Sequence, residues 1–212
     1  MLYQEFGDRT LGESCARLVI PAFMAPKTEV AVFKTDHHPE YKNDHKAKAW
    51  RVARATSAAP TYLCGHDNGN TLFLDGGVWA NSPIMVAISD ALCSYDLTRE
   101  QIEVLSIGTG NFPFEITMKN TKRGLWSWKE IIKAAMYLTT DNACAQATLL
   151  LGPDHILRLE PSPDTVDIDL DDWASSVQRL PGMATAHFRQ HEDDLKRFFL
   201  YNVEKRHRFY TA

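Results

Sequence analysis

The sequence of 212 residues lacks the signatures of several protein classes. Its four cysteines are widely spaced and form no C-x-x-C pair, which argues against a disulfide framework or a zinc site. No apolar run approaches the length of a membrane span, and the opening MLYQEFGDRT contains no secretory hydrophobic region. The net charge is -4, with no basic block that would indicate a nucleic-acid partner. We therefore expect a cytoplasmic protein with reduced thiols, no metal and no cofactor.

What is present predicts an α/β domain. Strands are expected at 16–23, 28–34, 71–74, 102–108 and 155–161, and helices at 45–59, 84–95, 125–152 and from Trp173 onward. Because strands alternate with helices, we expect a mostly parallel sheet flanked by helices. No internal repeat or linker divides the chain, so residues 1–212 are interpreted as a single domain.

Several local features are predicted from residue type. Asn81 or Ser82 is expected to cap a helix that starts at Pro83. The LPG segment at 180–182 is expected to interrupt the C-terminal helix. The acidic segment at 164–172 lacks the spacing, the glycine and the terminal glutamate of an EF-hand.

Two polar stretches are interpreted as solvated. His37, His38 and His45 fall in or beside a polar loop and lack metal-ligand spacing. The basic tail EKRHRF is expected to be a solvated chain end, because termini are usually solvated.

The stretch TLFLDGGVWANSP at 71–83 contains the main candidate for chemistry. Asp75 follows a short apolar strand, at the kind of strand end where α/β sheets form their sites. Gly76 and Gly77 have no Cβ, so we expect the backbone to turn sharply there and to approach a substrate closely. Asp-Gly is also a common turn dipeptide, and this stretch alone does not separate the two interpretations.

Three segments resemble the patatin-like phospholipases in both order and spacing. They are RVARATSAAPTYL at 51–63, LFLDGGVWANSP at 72–83 and VLSIGTG at 104–110. The segments GESCARLVIPAF and VFKTDHH resemble the bacterial branch, which includes phospholipase effectors of cyclic-nucleotide-triggered antiphage defence. The resemblance covers roughly positions 7 to 160.

The resemblance implies a lipid acyl hydrolase with a serine–aspartate dyad and no metal. The aspartate of that dyad lies in a D-G-G or D-G-A motif, which Asp75, Gly76 and Gly77 match. It also implies action on membrane phospholipid at the membrane surface, with a possible cyclic-nucleotide activator. A carboxylate can act directly as the base for a serine hydroxyl, provided that it is oriented and partly shielded from water.

The nucleophile elbow G-x-S-x-G and a glycine-rich oxyanion loop are not found. Ser14 in GESCA has Ala16 where the second glycine should stand. Ser57 is expected on a helix, Ser82 at a cap, and Ser106 within a strand. The chain is therefore interpreted as an N-terminally truncated, C-terminal portion of a patatin-like domain, which carries the base without the serine and is inactive alone.

Three hypotheses follow. The first is a lipid acyl hydrolase that needs its missing N-terminal half, and whose isolated chain self-associates through uncovered apolar surface. The second is a non-catalytic binding or regulatory module that keeps the fold. The third is an unrelated α/β hydrolase that uses Ser14 with a histidine.

Overall fold

The computed structural model describes residues 1–110, 126–161, 168–200 and 206–210, and the side chains of the long fifth helix from Ala134 onward. Predictions on 111–125, 162–167 and 201–205 lie outside the described residues. The strands are β1 Val19–Met24, β2 Glu29–Lys34, β3 His66–Asp67, β4 Leu72–Asp75, β5 Val104–Ile107 and β6 Ile156–Leu159. The helices are α1 Leu2–Phe6, α2 Ala49–Thr56, α3 Gly77–Ala80, α4 Ile84–Ser94, α5 Trp126–Leu151, α6 Trp173–Gln190 and α7 Glu192–Phe199.

The strands form two sheets that differ in direction. A four-stranded sheet in the order β2-β1-β4-β3 is antiparallel throughout, whereas β5 and β6 form a parallel pair. The α/β class is confirmed, but the expectation of a mostly parallel sheet is wrong for the larger sheet. Connection length explains the difference: β1 and β2 are joined by a four-residue turn, which permits only antiparallel pairing, while the 26-residue helix α5 provides the crossover that a parallel pair needs.

Two apolar clusters hold the helices onto the strands. One joins α4 to α5 through Ile84, Ile88, Ala147 and Leu151, with Ile102 beside them at the start of β5. The other lies under the antiparallel sheet and α2, and contains Ala22, Ala55 and Phe73. Both clusters remove apolar surface from water; the first packs α4 and α5 against the parallel pair, and the second packs α2 against the antiparallel sheet.

The C-terminal helix does not break at Pro181. α6 runs from Trp173 to Gln190 with Pro181 inside it, so the predicted interruption at LPG is wrong. A proline leaves the carbonyl four residues earlier without its helical partner. Because no residue of α6 is buried, the freed carbonyl of Val177 reaches water, and the helix continues.

The histidines of the polar loop are not solvated, which corrects the interpretation from sequence. His37 and His45 are buried, and His38 is half-buried. The ring of His45 stacks on the ring of Tyr210, with 5.3 Å between centroids. Residue type alone predicts exposure for such a loop, but tertiary contacts cover it.

Asp90 on α4 is the centre of a buried polar network. Its carboxylate accepts hydrogen bonds from His37 Nε2 at 2.8 Å, Lys34 Nζ at 2.7 Å and the Tyr41 hydroxyl at 2.9 Å. The Thr35 hydroxyl lies 2.7 Å from the other ring nitrogen of His37. Burial alone would raise the pKa of Asp90, but the bonds from His37, Lys34 and Tyr41 outweigh it and hold that pKa well below its usual range. The network joins α4 to the loop after β2.

Arg206 joins the C-terminal tail to the start of the chain. Its guanidinium donates to Asp36 Oδ1 at 2.6 Å, to the Gly12 carbonyl at 2.6 Å and to the Ser14 carbonyl at 3.2 Å. The side chains of Arg206 and Asp36 are only 2% and 1% exposed. The Tyr210 N–H donates to Asp36 Oδ2 at 2.9 Å. The expectation of a solvated EKRHRF tail is therefore wrong at Arg206, because its charge is paired inside the protein.

Removing the Arg206 side chain should destabilise the fold strongly. Arg206→Ala leaves the carboxylate of Asp36 buried without its countercharge, a change that typically costs about 3–5 kcal/mol of unfolding free energy. Arg208→Ala is the matched control, because Arg208 is exposed and makes one long bond to the Glu13 carbonyl. We expect the control to change stability by less than about 0.5 kcal/mol. Denaturant titration followed by circular dichroism measures both, and equal midpoints for the two variants would contradict the buried pair.

Candidate functional site

Asp75 lies at the end of β4 and is fixed there by its backbone. It pairs with Ala22 of β1, and its N–H donates to the Ala58 carbonyl at 3.1 Å. The next N–H, that of Gly76, donates to the Thr56 carbonyl at 3.3 Å. The strand end is thus held between β1 and the end of α2, which places the carboxylate at a defined point.

The carboxylate of Asp75 is half-buried and has a single polar contact within the described residues. Oδ1 accepts a hydrogen bond from the Gly77 N–H at 2.6 Å. Burial raises the pKa of Asp75 above its ordinary value, and the hydrogen bond from Gly77 partly offsets that rise. One oxygen is therefore oriented by the backbone, and Oδ2 is left to interact with another group.

The backbone at Gly76 and Gly77 differs from the sharp turn that the sequence predicts. Gly76 has φ of -62° and ψ of -27°, which any residue can adopt, and Gly77 is not among the residues with positive φ. The reason for Gly76 is close packing, since a Cβ there would overlap the backbone carbonyl of Pro21 on β1. The close approach is to the protein's own backbone.

Asn81 joins the Asp75 loop to α5 and was not singled out as a site residue from sequence. Its Nδ2 donates to the Thr140 hydroxyl at 2.9 Å, and α4 has no side-chain cap at its N-cap residue Pro83. Ser82 lies 3.8 Å from the sulfur of Cys144. The predicted cap by Asn81 or Ser82 is therefore wrong, because both side chains contact α5. In the sequence, the signal that could have singled out Asn81 as a site residue was its short distance along the chain from Asp75.

A cavity of about 750 Å³ opens beside this loop, between α4, β5 and α5. Asn81, Met136 and Thr140 line it, and Asn81 and Met136 also approach Gly77, two residues after Asp75. Strand β5 lines it over its whole length, and Ile107 is 73% exposed. A volume of this size is in the range of small-molecule sites.

The far end of the cavity carries a compact charged group. Arg158 on β6 is ion-paired with Glu160 and donates to the Ser106 hydroxyl at 2.8 Å. Glu160 also accepts from the Gly110 N–H at 2.6 Å, and a Cβ at Gly108 would overlap its carboxylate. The glycines of the GTG turn therefore make room for Glu160.

No serine of the described residues hydrogen-bonds to Asp75. The Ser14 hydroxyl donates to the Ala16 carbonyl at 3.0 Å, and the Ser57 hydroxyl donates to the Ala53 carbonyl at 2.8 Å. Ser106 accepts from Arg158. Of the residues predicted from sequence, Asp75, Gly76 and Gly77 lie together in the site. Ser14 lies in a local turn, and no histidine of the described residues hydrogen-bonds to it.

The described residues carry neither a metal cluster nor a membrane-spanning helix. They hold no group of three or more His, Cys, Asp or Glu side chains placed to bind a metal ion. None of their helices has the length and hydropathy needed to cross a membrane. The four cysteines are free thiols.

The fold and the site define an α/β protein with a half-buried, strand-end carboxylate beside a cavity. Residues 2–88, which include Asp75, Gly76 and Gly77, match the family model of the patatin-like phospholipases. A cGAMP-activated phospholipase from Escherichia coli is 27% identical over 91% of this chain and 61% of its own length. One from Pseudomonas aeruginosa is 28% identical over 69% of this chain and 46% of its own length.

A eukaryotic protein is also similar. The calcium-independent phospholipase A2-gamma of Oryctolagus cuniculus is 32% identical over 54% of this chain and 14% of its own length. These similarities agree with the resemblance of the chain's motifs to the patatin-like phospholipases. It spans 61% or less of the length of these relatives.

The charge on Asp75 should cost stability at neutral pH. Its pKa in the folded protein is raised above the unfolded value, so the folded state favours the protonated form and loses stability as pH rises through that window. Asp75→Asn removes the charge and keeps an oxygen that can accept from Gly77. We expect the variant to unfold at an equal or higher denaturant concentration at neutral pH. The difference should vanish below the ordinary carboxyl pKa, and a clearly less stable variant at neutral pH would contradict this account.

Adding a methyl group at Gly76 should destabilise the fold, in contrast to Asp75→Asn. Gly76→Ala forces β4 away from the Pro21 carbonyl, an overpacking that we expect to cost at least about 1–3 kcal/mol. Gly182→Ala, inside α6 with no atom within 4 Å of the new methyl, is the matched control and should be neutral or stabilising. Thermal melts of both variants test this, and equal melting temperatures would show that the close approach is not required.

Proposed function

We propose that this chain supplies the general base, Asp75, of a serine–aspartate dyad in a patatin-like lipid acyl hydrolase that cleaves phospholipid esters. The proposal rests mainly on the carboxylate of Asp75, which is half-buried, has a raised pKa and is oriented by the Gly77 N–H. Its position within the residues that match the family supports the assignment.

The geometry suits a base that acts directly on a hydroxyl. Oδ1 is occupied by the Gly77 N–H, so the orientation of the carboxylate is set before substrate arrives. The raised pKa makes the carboxylate of Asp75 a stronger base than that of an exposed aspartate. At a pH above this pKa the carboxylate is ionised, which is the form that accepts the serine proton. In the reaction, Asp75 takes the serine proton during attack on the ester and returns it to the leaving alcohol.

The nucleophile is proposed to come from a segment carrying G-x-S-x-G that is joined to or assembled with this chain. This follows from the absence of that motif in the sequence and from the serine contacts described above. We propose the membrane surface as the place of action, because phospholipid is the substrate. A cyclic nucleotide is proposed as the activator, by analogy with the cGAMP-activated relatives.

Loss of the Asp75 base should abolish most activity without loss of folding. The test uses the chain fused to an N-terminal segment that carries the family's G-x-S-x-G motif, with a fluorogenic phospholipid as substrate. We expect Asp75→Asn to lower the rate by about 10²–10⁴-fold, as for removal of a general base. The unfused chain should remain at background, because it lacks the segment that carries the nucleophile.

Asp67→Asn is the matched control. Asp67 lies in the same sheet and is exposed, and its carboxylate accepts from the Gly69 N–H in a turn. It should keep the wild-type rate. A folded Asp75→Asn variant with near wild-type turnover would make Asp75 a turn residue only. A fused protein that binds phospholipid vesicles but hydrolyses nothing would instead favour a non-catalytic binding module.

A further inference from the structure

The side chain of Asn81 has a defined orientation. The Thr140 hydroxyl donates its hydrogen to the Met136 carbonyl at 3.0 Å, one turn earlier in α5. Thr140 can therefore only accept from Asn81, which fixes Nδ2 toward α5 at 2.9 Å. The carboxamide oxygen of Asn81 must then face the other way, toward the Asp75 loop.

That oxygen and the Asp75 carboxylate face the same space in front of Gly77. The point where a Gly77 Cβ would lie is 2.9 Å from Asp75 Oδ1 and 3.0 Å from Asn81 Oδ1. Two oxygens that close to one point are at most about 6 Å apart, and a water that donates to two acceptors spans roughly 4.5 Å. Asp75 Oδ1 can accept a second hydrogen bond beside the one from Gly77, and Asn81 Oδ1 is also an acceptor, so together they suit a molecule with two protons to donate.

We propose that Asn81 is a positioning residue that orients the hydrolytic water for Asp75 in the second half of the reaction. The inference rests on the proposed function. The water oxygen bonds to the acyl carbon of the serine ester, one water proton passes to the Asp75 carboxylate, and the other donates to Asn81 Oδ1. The bond from the acyl carbon to the serine oxygen then breaks. Asp75 returns its proton to that oxygen, which leaves a fatty acid and the free hydroxyl.

Access and packing agree with this role. Asn81 is exposed and forms part of the wall of the 750 Å³ cavity, so water can reach it from that side. The Met136 methyl group lies 2.9 Å from the same Gly77 point and provides an apolar boundary.

Competition between water and methanol separates this role from that of a structural tether to α5. Methanol has one hydroxyl proton, which goes to Asp75, so it does not need the acceptor of Asn81. The fused enzyme of the Asp75 test is supplied with phospholipid in aqueous methanol, and the ratio of fatty acid methyl ester to free fatty acid is measured. Both products form from one acyl-enzyme, so the ratio does not depend on the folded fraction or on the rate of acylation.

We expect Asn81→Leu to raise the ester-to-acid ratio about tenfold, the effect of losing one positioned hydrogen bond. Thr140→Val removes the partner that orients the carboxamide and should raise the ratio about threefold. Thr139→Val is the control, because its hydroxyl bonds the same Met136 carbonyl at 2.8 Å without contacting Asn81. It should keep the wild-type ratio.

Each outcome decides a different claim. An unchanged ratio in Asn81→Leu, while Asp75→Asn loses both products, would overturn the role of Asn81 and leave the proposed function intact. If Asn81→Leu does not fold, the ratio in Thr140→Val decides in the same way. If Asp75→Asn forms both products at the wild-type rate, the proposed function fails, and this inference fails with it.

Discussion

The contact between Gly76 and the carbonyl of Pro21 is the constraint on which the candidate site depends. It allows β4 to end directly against β1, so that the Asp75 N–H and the Gly76 N–H reach carbonyls at the end of α2. The carboxylate then emerges at one position, half out of water, with the Gly77 N–H on one oxygen. A larger residue at 76 would move the base away from every other group of the site.

Two buried charged groups hold the elements that surround this contact. Asp90 ties α4 to the loop after β2, and Asp36 with Arg206 ties the C-terminal tail to the chain start. Each carboxylate has several donors, which offsets the cost of removing its charge from water. Both groups lie away from Asp75, so their role is to support the scaffold.

The site itself combines a fixed base with an adjustable surface. Asp75 is held by backbone bonds, whereas Asn81 and Met136 approach the neighbouring Gly77 and, with Thr140, line the cavity. Strand β5 contributes the opposite wall, with Ile107 exposed. The arrangement places the proposed proton acceptor near a cavity of about 750 Å³, a size in the range of small-molecule sites.

The sequence by itself determined the local elements, the resemblance to the patatin-like phospholipases and the position of Asp75 at a strand end. Runs of β-branched residues gave β1, β2 and β5 within a few positions, because these patterns depend on neighbouring residues. Only the tertiary structure decided the antiparallel sheet, the burial of His37 and Arg206, and the orientation of Asn81 toward α5. The burial of His37 and Arg206 depends on partners between 53 and 194 residues away in the chain, and the orientation of Asn81 depends on the helix α5, which lies after the motif. Residue type predicts whether a group prefers water, but only its distant partners decide whether its charge or hydrogen bond can be satisfied inside the protein.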